Sequence, residues 1–237
     1  MRIEVLYPEV ANLYGDLMNV EYLRRSCPEI EVTETHFGEM PRFLSEEVSL
    51  VYMGSVTEKG QELIVSELMP HKDRIVERID AGQAFLVTGN ALEIFGQYIA
   101  ADDGRRFDCL GLFGTHAEQK MMSRYNALYL GSFEGADIVG FKSQFGHSYG
   151  DTDEEALFET ERGDGLCPGA TGEGIRKNNF MATYVIGPIV VLNPPFAKYL
   201  LRLMGVAEPV LSFEAAAYDV YVRRLEEYKR PETGFKY

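Results

Sequence analysis

Apolar residues along the first hundred positions follow two alternating periods. Short, nearly continuous apolar runs at 3–7, 30–33, 48–52 and 84–87 have the length expected of strands buried on both faces. Between them, apolar positions three and four apart predict helices. One ends near Ser26, with Val20 and Leu23 inward. A second spans 57–69, with Leu63, Ile64 and Leu68 on one face and Pro70 as its stop. A third spans 71–81, with Ile75, Val76 and Ile79 inward and Gly82 at its end. Alternation at this spacing predicts an α/β fold built on a doubly wound, mostly parallel sheet. Such sheets bind ligands beyond the carboxyl ends of their strands. Three segments reach that edge: 8–19, 53–58 and 88–91.

The texture changes from 106 to 161. Short apolar runs at 107–112, 127–130, 138–141 and 156–160, separated by glycine and polar turns, predict an added antiparallel or mixed β region, and a glycine-rich loop follows at 163–174. A strand over 180–186 leads through Gly187-Pro188 to a helix ending at Met204, with Asn193 as N-cap and proline in the first turn. The last helix spans 213–228, with Phe213, Ala217, Val220, Tyr221, Leu225 and Tyr228 on one stripe. The tail after Pro231 is expected to fray. With no repeat and no low-complexity segment, 1–237 reads as one domain, its C-terminal helix and tail at 206–237.

Composition removes several functions. The 37 acidic and 23 basic residues give a formal net charge of −14, which repels phosphate backbones and argues against nucleic-acid binding. Cys27, Cys109 and Cys167 form neither a disulfide framework nor a C-x-x-C site, and His36, His71, His116 and His147 lack metal-ligand spacing. No metal and no cofactor are expected. No apolar run approaches the ~20 residues of a membrane span. Met1 to Val5 enters a strand directly, so a cytoplasmic protein without membrane insertion is expected.

The informative turn is Thr88-Gly89-Asn90-Ala91. A buried strand breaks there, through small residues, into an apolar helical start at Leu92, Ile94 and Phe95. That is the architecture of a nucleophile elbow, and it carries no cysteine.

Several segments in order resemble class I glutamine amidotransferases of the CobB/CobQ-like group, within the branch that holds the glutaminase subunit of lipid II isoglutaminyl synthase. They are Leu13-Tyr14-Gly15-Asp16 with Asn19; Gly140-Phe141 through Gly146-His147-Ser148-Tyr149; Ala182-Thr183-Tyr184-Val185-Ile186-Gly187-Pro188; and Asn193-Pro194. The resemblance implies a flavodoxin-like sheet and a glutamine pocket at the elbow. It also implies a Mur-ligase-like partner acting on cell-wall peptides.

The departures fall on the chemistry. Counted back from Gly96, Gly89 takes the cysteine position, and a one-residue slip gives Thr88. Ile186 takes the histidine position. The oxyanion segment, Met53-Gly54-Ser55, has one glycine, and His147 replaces an arginine. Glutamine hydrolysis here needs a thiolate and a base, and losing either costs on the order of 10⁴–10⁶ in rate. The resemblance therefore implies a protein without ordinary glutaminase activity, acting as a binding or partner subunit. Two alternatives stand: a displaced active site using Thr88 or a cysteine with His147, and a sensor of a glutamine-like small molecule. Pocket candidates are Gly54, Ser55, Thr88, Asn90, Arg124 and His147. Arg124 matches an arginine that guards the family's pocket. In the N-terminal loop, Tyr14, Asp16 and Asn19 stay polar; Asp16 either caps the next helix or contacts a ligand or partner. Glu93 stands where the family's elbow helix has glutamine.

Overall fold

The computed structural model describes residues 1–150 and 156–236. Strands β1 (Arg2–Leu6), β2 (Glu31–Thr35), β3 (Leu50–Met53) and β4 (Phe85–Thr88) alternate with helices α1 (Met18–Ser26), α2 (Glu58–Leu68) and α3 (Lys72–Asp80). Beyond β4 come β5 (Tyr98–Ala101), β6 (Arg106–Asp108), β7 (His116–Gln119), β8 (Tyr125–Phe133), β9 (Ala136–Gln144), β10 (Gly146–Tyr149) and β11 (Phe158–Arg162). The chain closes with β12 (Gly172–Glu173), β13 (Ile175–Lys177), β14 (Phe180–Thr183), α4 (Ile189–Leu192), α5 (Pro194–Leu203) and α6 (Glu214–Tyr228).

The central sheet has the order β13-β14-β4-β3-β1-β2. Its pairings from β14 to β2 are parallel, and β13 joins antiparallel at the edge. Counting only the parallel strands, this is the 2-1-3-4-5 order of flavodoxin-like sheets. Alternate residues feed two cores. Val51, Met53, Phe85 and Val87 meet Ile64 and Leu68 of α2 and Ile75 and Ile79 of α3. Leu50, Tyr52 and Leu86 meet Val20 and Leu23 of α1 and Phe196 and Leu200 of α5. Period-two burial on both faces explains why these strands read as continuous apolar runs. The added β region forms two further sheets, β10-β7-β5-β6 and β12-β11-β8-β9. Residues 151–155, inside that region, lie outside the described residues.

Several local expectations are corrected. Leu63 is 46% exposed, and Val65 takes its place in the core of α2, because the inward face is set by i, i+1 and i+4 from Ile64. Val76 is only half-buried. The elbow continues as a 3-10 helix, Gly89–Phe95, rather than an α-helix. Ala91 through Phe95 are all buried, so the segment has no solvent face to set a 3.6-residue period. Asn193 precedes α5 but makes no side-chain cap. Its Oδ1 accepts from Val139 N, and its Nδ2 donates to Val139 O and Ile189 O, each at 2.8 Å, which fixes β9 to α4. The tail is docked. Leu128 N donates to Phe235 O at 2.8 Å, Arg162 donates to Thr233 O at 2.9 Å, and Lys236 pairs with Asp164 at 2.7 Å. Phe213, just before α6, and Val220 within it face outward, being 78% and 51% exposed.

Candidate functional site

The chain doubles back between β1 and β3, and this switch in strand order opens a crevice at their carboxyl ends. A cleft of about 350 Å³ lies there, walled by Tyr14 of the N-terminal loop, Ser55 and Val56 after β3, Gly89 and Asn90 at the elbow, and Arg124 before β8. Ser143, Gln144, Phe145 and Tyr184 close the far side.

Asp16 organises the floor. It is fully buried, and its Oδ2 accepts from Ser55 N at 3.1 Å, Ser55 Oγ at 2.7 Å and Thr88 Oγ1 at 2.8 Å. Its Oδ1 finds no hydrogen-bond partner among the described residues. Burial, only partly offset by those three donors, holds its carboxyl above the usual aspartate range. Gly54 permits the arrangement: a Cβ there would lie 2.5 Å from Ala11 O and 3.2 Å from Asp16 Cβ. Asn19, also buried, donates to Tyr52 Oη at 3.0 Å, and Tyr52 Oη in turn lies 3.2 Å from Thr88 Oγ1. Asp16 therefore caps no helix, and Thr88 turns its hydroxyl into this buried network.

At the elbow, Gly89 has φ +65°, the left-handed backbone that puts an elbow residue's side chain above the sheet edge. A Cβ built on Gly89 would overlap Ser55 Oγ and approach Ser55 Cβ to 2.8 Å. The space a nucleophile's side chain would occupy is filled by the serine hydroxyl. The neighbouring amides are also engaged: Ser55 N by Asp16, and Val56 N by Asn90 Oδ1 at 3.0 Å. Two backbone donors of the oxyanion segment thus face side-chain acceptors rather than the cleft.

Ile186 is buried, exchanges backbone hydrogen bonds with Phe141 at 2.9 and 3.1 Å, and does not line the cleft. Neither does His147. It is half-buried on β10, edge-on to the Tyr125 ring at 5.0 Å, and burial lowers its pKa. Cys109 is buried, with its thiol pushed up to about 12 by desolvation; burial also raises Cys27 and Cys167. None of these thiols has the electropositive setting that favours a thiolate. Among the described residues, no group of three or more His, Cys, Asp or Glu could hold a metal ion.

Arg124 spans the mouth. Its guanidinium donates to Tyr14 Oη at 2.9 Å and to Ser143 Oγ at 3.3 Å, and it lies 4.3 Å over the Phe145 ring. Tyr14 holds φ +61° in doing so.

Sequence reasoning missed the layer behind the elbow. Glu93, 2% exposed, accepts from Gln61 at 2.9 Å, Gln119 at 3.0 Å and Tyr184 Oη at 2.9 Å, and Tyr184 Oη also meets Ser148 Oγ at 2.7 Å. No cation pairs with Glu93 among the described residues, and burial raises its pKa. A second buried cluster joins Lys142 Nζ to Glu173, with Asp164 O at 2.8 Å and Gly165 O at 2.6 Å, and Glu173 accepts from Tyr184 N at 2.7 Å. The signal the sequence offered was a lysine, Lys142, directly after the apolar run 138–141.

Comparison with known proteins shows the family and the fold. The CobB/CobQ-like glutamine amidotransferase domain matches residues 2–191. The chain is 27% identical over 193 residues to the GatD subunit of the glutamine-hydrolysing lipid II isoglutaminyl synthase of Staphylococcus aureus, covering 81% of this chain and 79% of that one. It is 24% identical over 205 residues to the Streptococcus pneumoniae GatD subunit, covering 85% and 79%. A glutamine amidotransferase structure from Thermotoga maritima superposes with a TM-score of 0.50 at 13% identity, covering 86% of this chain and 96% of that one, a likeness of fold. With the domain matched across most of its length and the elbow, N-terminal loop and switch-point cleft all in place, the chain belongs to the CobB/CobQ-like glutamine amidotransferase family.

Proposed function

We propose that this chain is a glutamine amidotransferase-fold subunit without a working cysteine–histidine dyad. In this reading it serves as a binding or partner subunit of a Mur-ligase-like amide ligase in cell-wall-related amidation. The observation that carries the reading is the elbow: glycine at the nucleophile position, with Ser55 Oγ in the volume a side chain there would need. Ile186 at the base position and the engaged amides of Ser55 and Val56 support it. The partner class rests on the relatives, which are named as subunits of an isoglutaminyl synthase. A cytoplasmic location goes with the reading, and three free cysteines fit a reducing compartment. The test measures ammonia release from glutamine by the pure chain, with and without a candidate Mur-ligase-type protein of the same organism. No release is expected in either case, with ligation driven by added ammonium. Release abolished by Thr88→Ala would overturn the reading in favour of a displaced site.

A second reading keeps the cleft as a pocket for a glutamine-like small molecule that is bound and not broken. Arg124 offers a guanidinium with no carboxylate partner among the described residues, and Gln144 Oε1 is a buried acceptor without a partner there. A carboxylate and an amide or ammonium group would satisfy both.

A further inference from the structure

The fold divides the apolar stripe of α6 in two. Tyr221 and Tyr228 are buried, and Tyr221 Oη donates to Asp137 O at 2.8 Å, which holds the helix against β9. Phe213, Ala217 and Val220 face the other way. With Met18 and Tyr22 of α1 and Val191 of α4 they wall an apolar groove of about 380 Å³. Its base is pre-organised. Ser212 N donates to Ser26 Oγ at 3.0 Å, Ser212 Oγ donates to Arg25 O at 2.9 Å, and Tyr22 Oη donates to Ser212 O at 3.1 Å. A rigid groove needs little ordering when an occupant enters.

The charge around it runs against that of the chain. The whole sequence carries −14, yet Arg24 and Arg25 share the single carboxylate of Glu21, and Arg224 at the groove has no ion pair among the described residues. An apolar cavity with a surplus of guanidinium on its rim complements an apolar anchor flanked by carboxylates.

The groove is also tied to the cleft. Helix α1 begins two residues after Asp16. Asn19 Oδ1 accepts from Val190 N in α4 at 2.8 Å, while its Nδ2 donates to Tyr52 Oη under the elbow. One wall of the groove and the floor of the cleft therefore share a buried side chain.

We propose that this groove seats the ligase subunit, through an apolar segment of that partner bordered by Asp or Glu; the inference rests on the subunit reading above. An anionic membrane would complement the same arginines, but it would meet the acidic remainder of the surface.

The test titrates the purified chain with a candidate Mur-ligase-type protein of the same organism, by calorimetry. Val220→Glu and Ala217→Glu are expected to weaken binding about 100-fold, as buried anchors do at an interface centre. Arg224→Glu is expected to weaken it about tenfold, with a reduced dependence on salt. Met40→Glu, at a 63% exposed apolar site outside the groove, serves as control and should bind as wild type. A photo-crosslinker at position 220 should label an acidic-flanked apolar segment of the ligase. Tight wild-type binding that Val220→Glu and Ala217→Glu leave unchanged overturns the groove and leaves the subunit reading standing. No binding by wild type overturns the subunit reading and this occupant together. Attachment to phosphatidylglycerol vesicles that Val220→Glu abolishes, without ligase binding, overturns a protein occupant.

Discussion

Gly89→Cys places at the elbow the residue that the proposed reading holds to be missing there, and the surrounding atoms oppose it. At φ +65° a side chain is disfavoured by about 1–2 kcal/mol. Its Cβ would overlap Ser55 Oγ and lie 3.2 Å from the Ser55 Cα, an overpacking that costs about 1–3 kcal/mol. Ser55 can yield only by releasing Asp16, to which its hydroxyl donates at 2.7 Å, and a hydrogen bond to a charged group contributes about 1.5–3 kcal/mol. The combined destabilisation is about 3.5–8 kcal/mol, or roughly 7–32 °C in Tm for a chain of this size. Urea unfolding of Gly89→Cys, Ser55→Gly and the double variant forms a double-mutant cycle. The two changes should couple favourably by about 1–3 kcal/mol, because removing Ser55 Oγ removes the overlap. The double variant should still release no ammonia from glutamine, since Ile186 supplies no base. A Gly89→Cys protein as stable as wild type, or a cycle that closes without coupling, would refute the claim that Ser55 fills the nucleophile's space.

Three further outcomes follow from the buried charges and the cleft. A carboxyl whose folded pKa is raised loses stability as pH rises from its unfolded value through its folded one, at no more than about 1.4 kcal/mol per pH unit. Glu93→Gln should therefore be more stable than wild type at pH 8, with the gap closing toward pH 4, and a gap that widens on acidification contradicts a raised Glu93. Lys142→Met leaves Glu173 without its cation and should cost about 3–5 kcal/mol. Adding Glu173→Gln should recover much of that in chemical denaturation, and a double variant no better than the single would show that the pair is not the unit. In thermal-shift measurements, glutamine or glutamate should raise the Tm of wild type and not of Arg124→Ala; no shift by either ligand counts against the small-molecule reading.

The parts of this structure that sequence could express are those governed by period. Strands β1, β3 and β4 are buried on both faces, so their apolar runs have one structural meaning, and α3 turns the predicted Ile75 and Ile79 inward. The stripe of α6 misled because period names a face without saying how much of it the rest of the chain covers. Phe213 and Val220 share the spacing of Tyr221 and Tyr228, but no element of the described chain covers them. At the candidate site, the loop residues Tyr14, Ser55, Asn90 and Arg124 do meet in one cleft. The glutamate–glutamine–tyrosine layer was invisible because Gln61, Glu93, Gln119 and Tyr184 come from four separate segments, and only the folded chain brings the other three within hydrogen-bond reach of Glu93. Asn193 shows the opposite failure: its local context is that of a helix cap, and a strand 54 residues away competes for its amide.

The docked tail has a consequence for the solution behaviour of the protein. Lys236 bridges Ala127, and Phe235 O takes the amide of Leu128, on the part of β8 that β11 does not reach. An unpaired strand edge is a template for pairing with another chain. The last residues thus act as a cover for that edge, and a chain ending at Pro231 would expose it. Such a shortened protein would keep its three sheets and self-associate through β8, so residues 232–236 govern colloidal solubility more than they govern the fold.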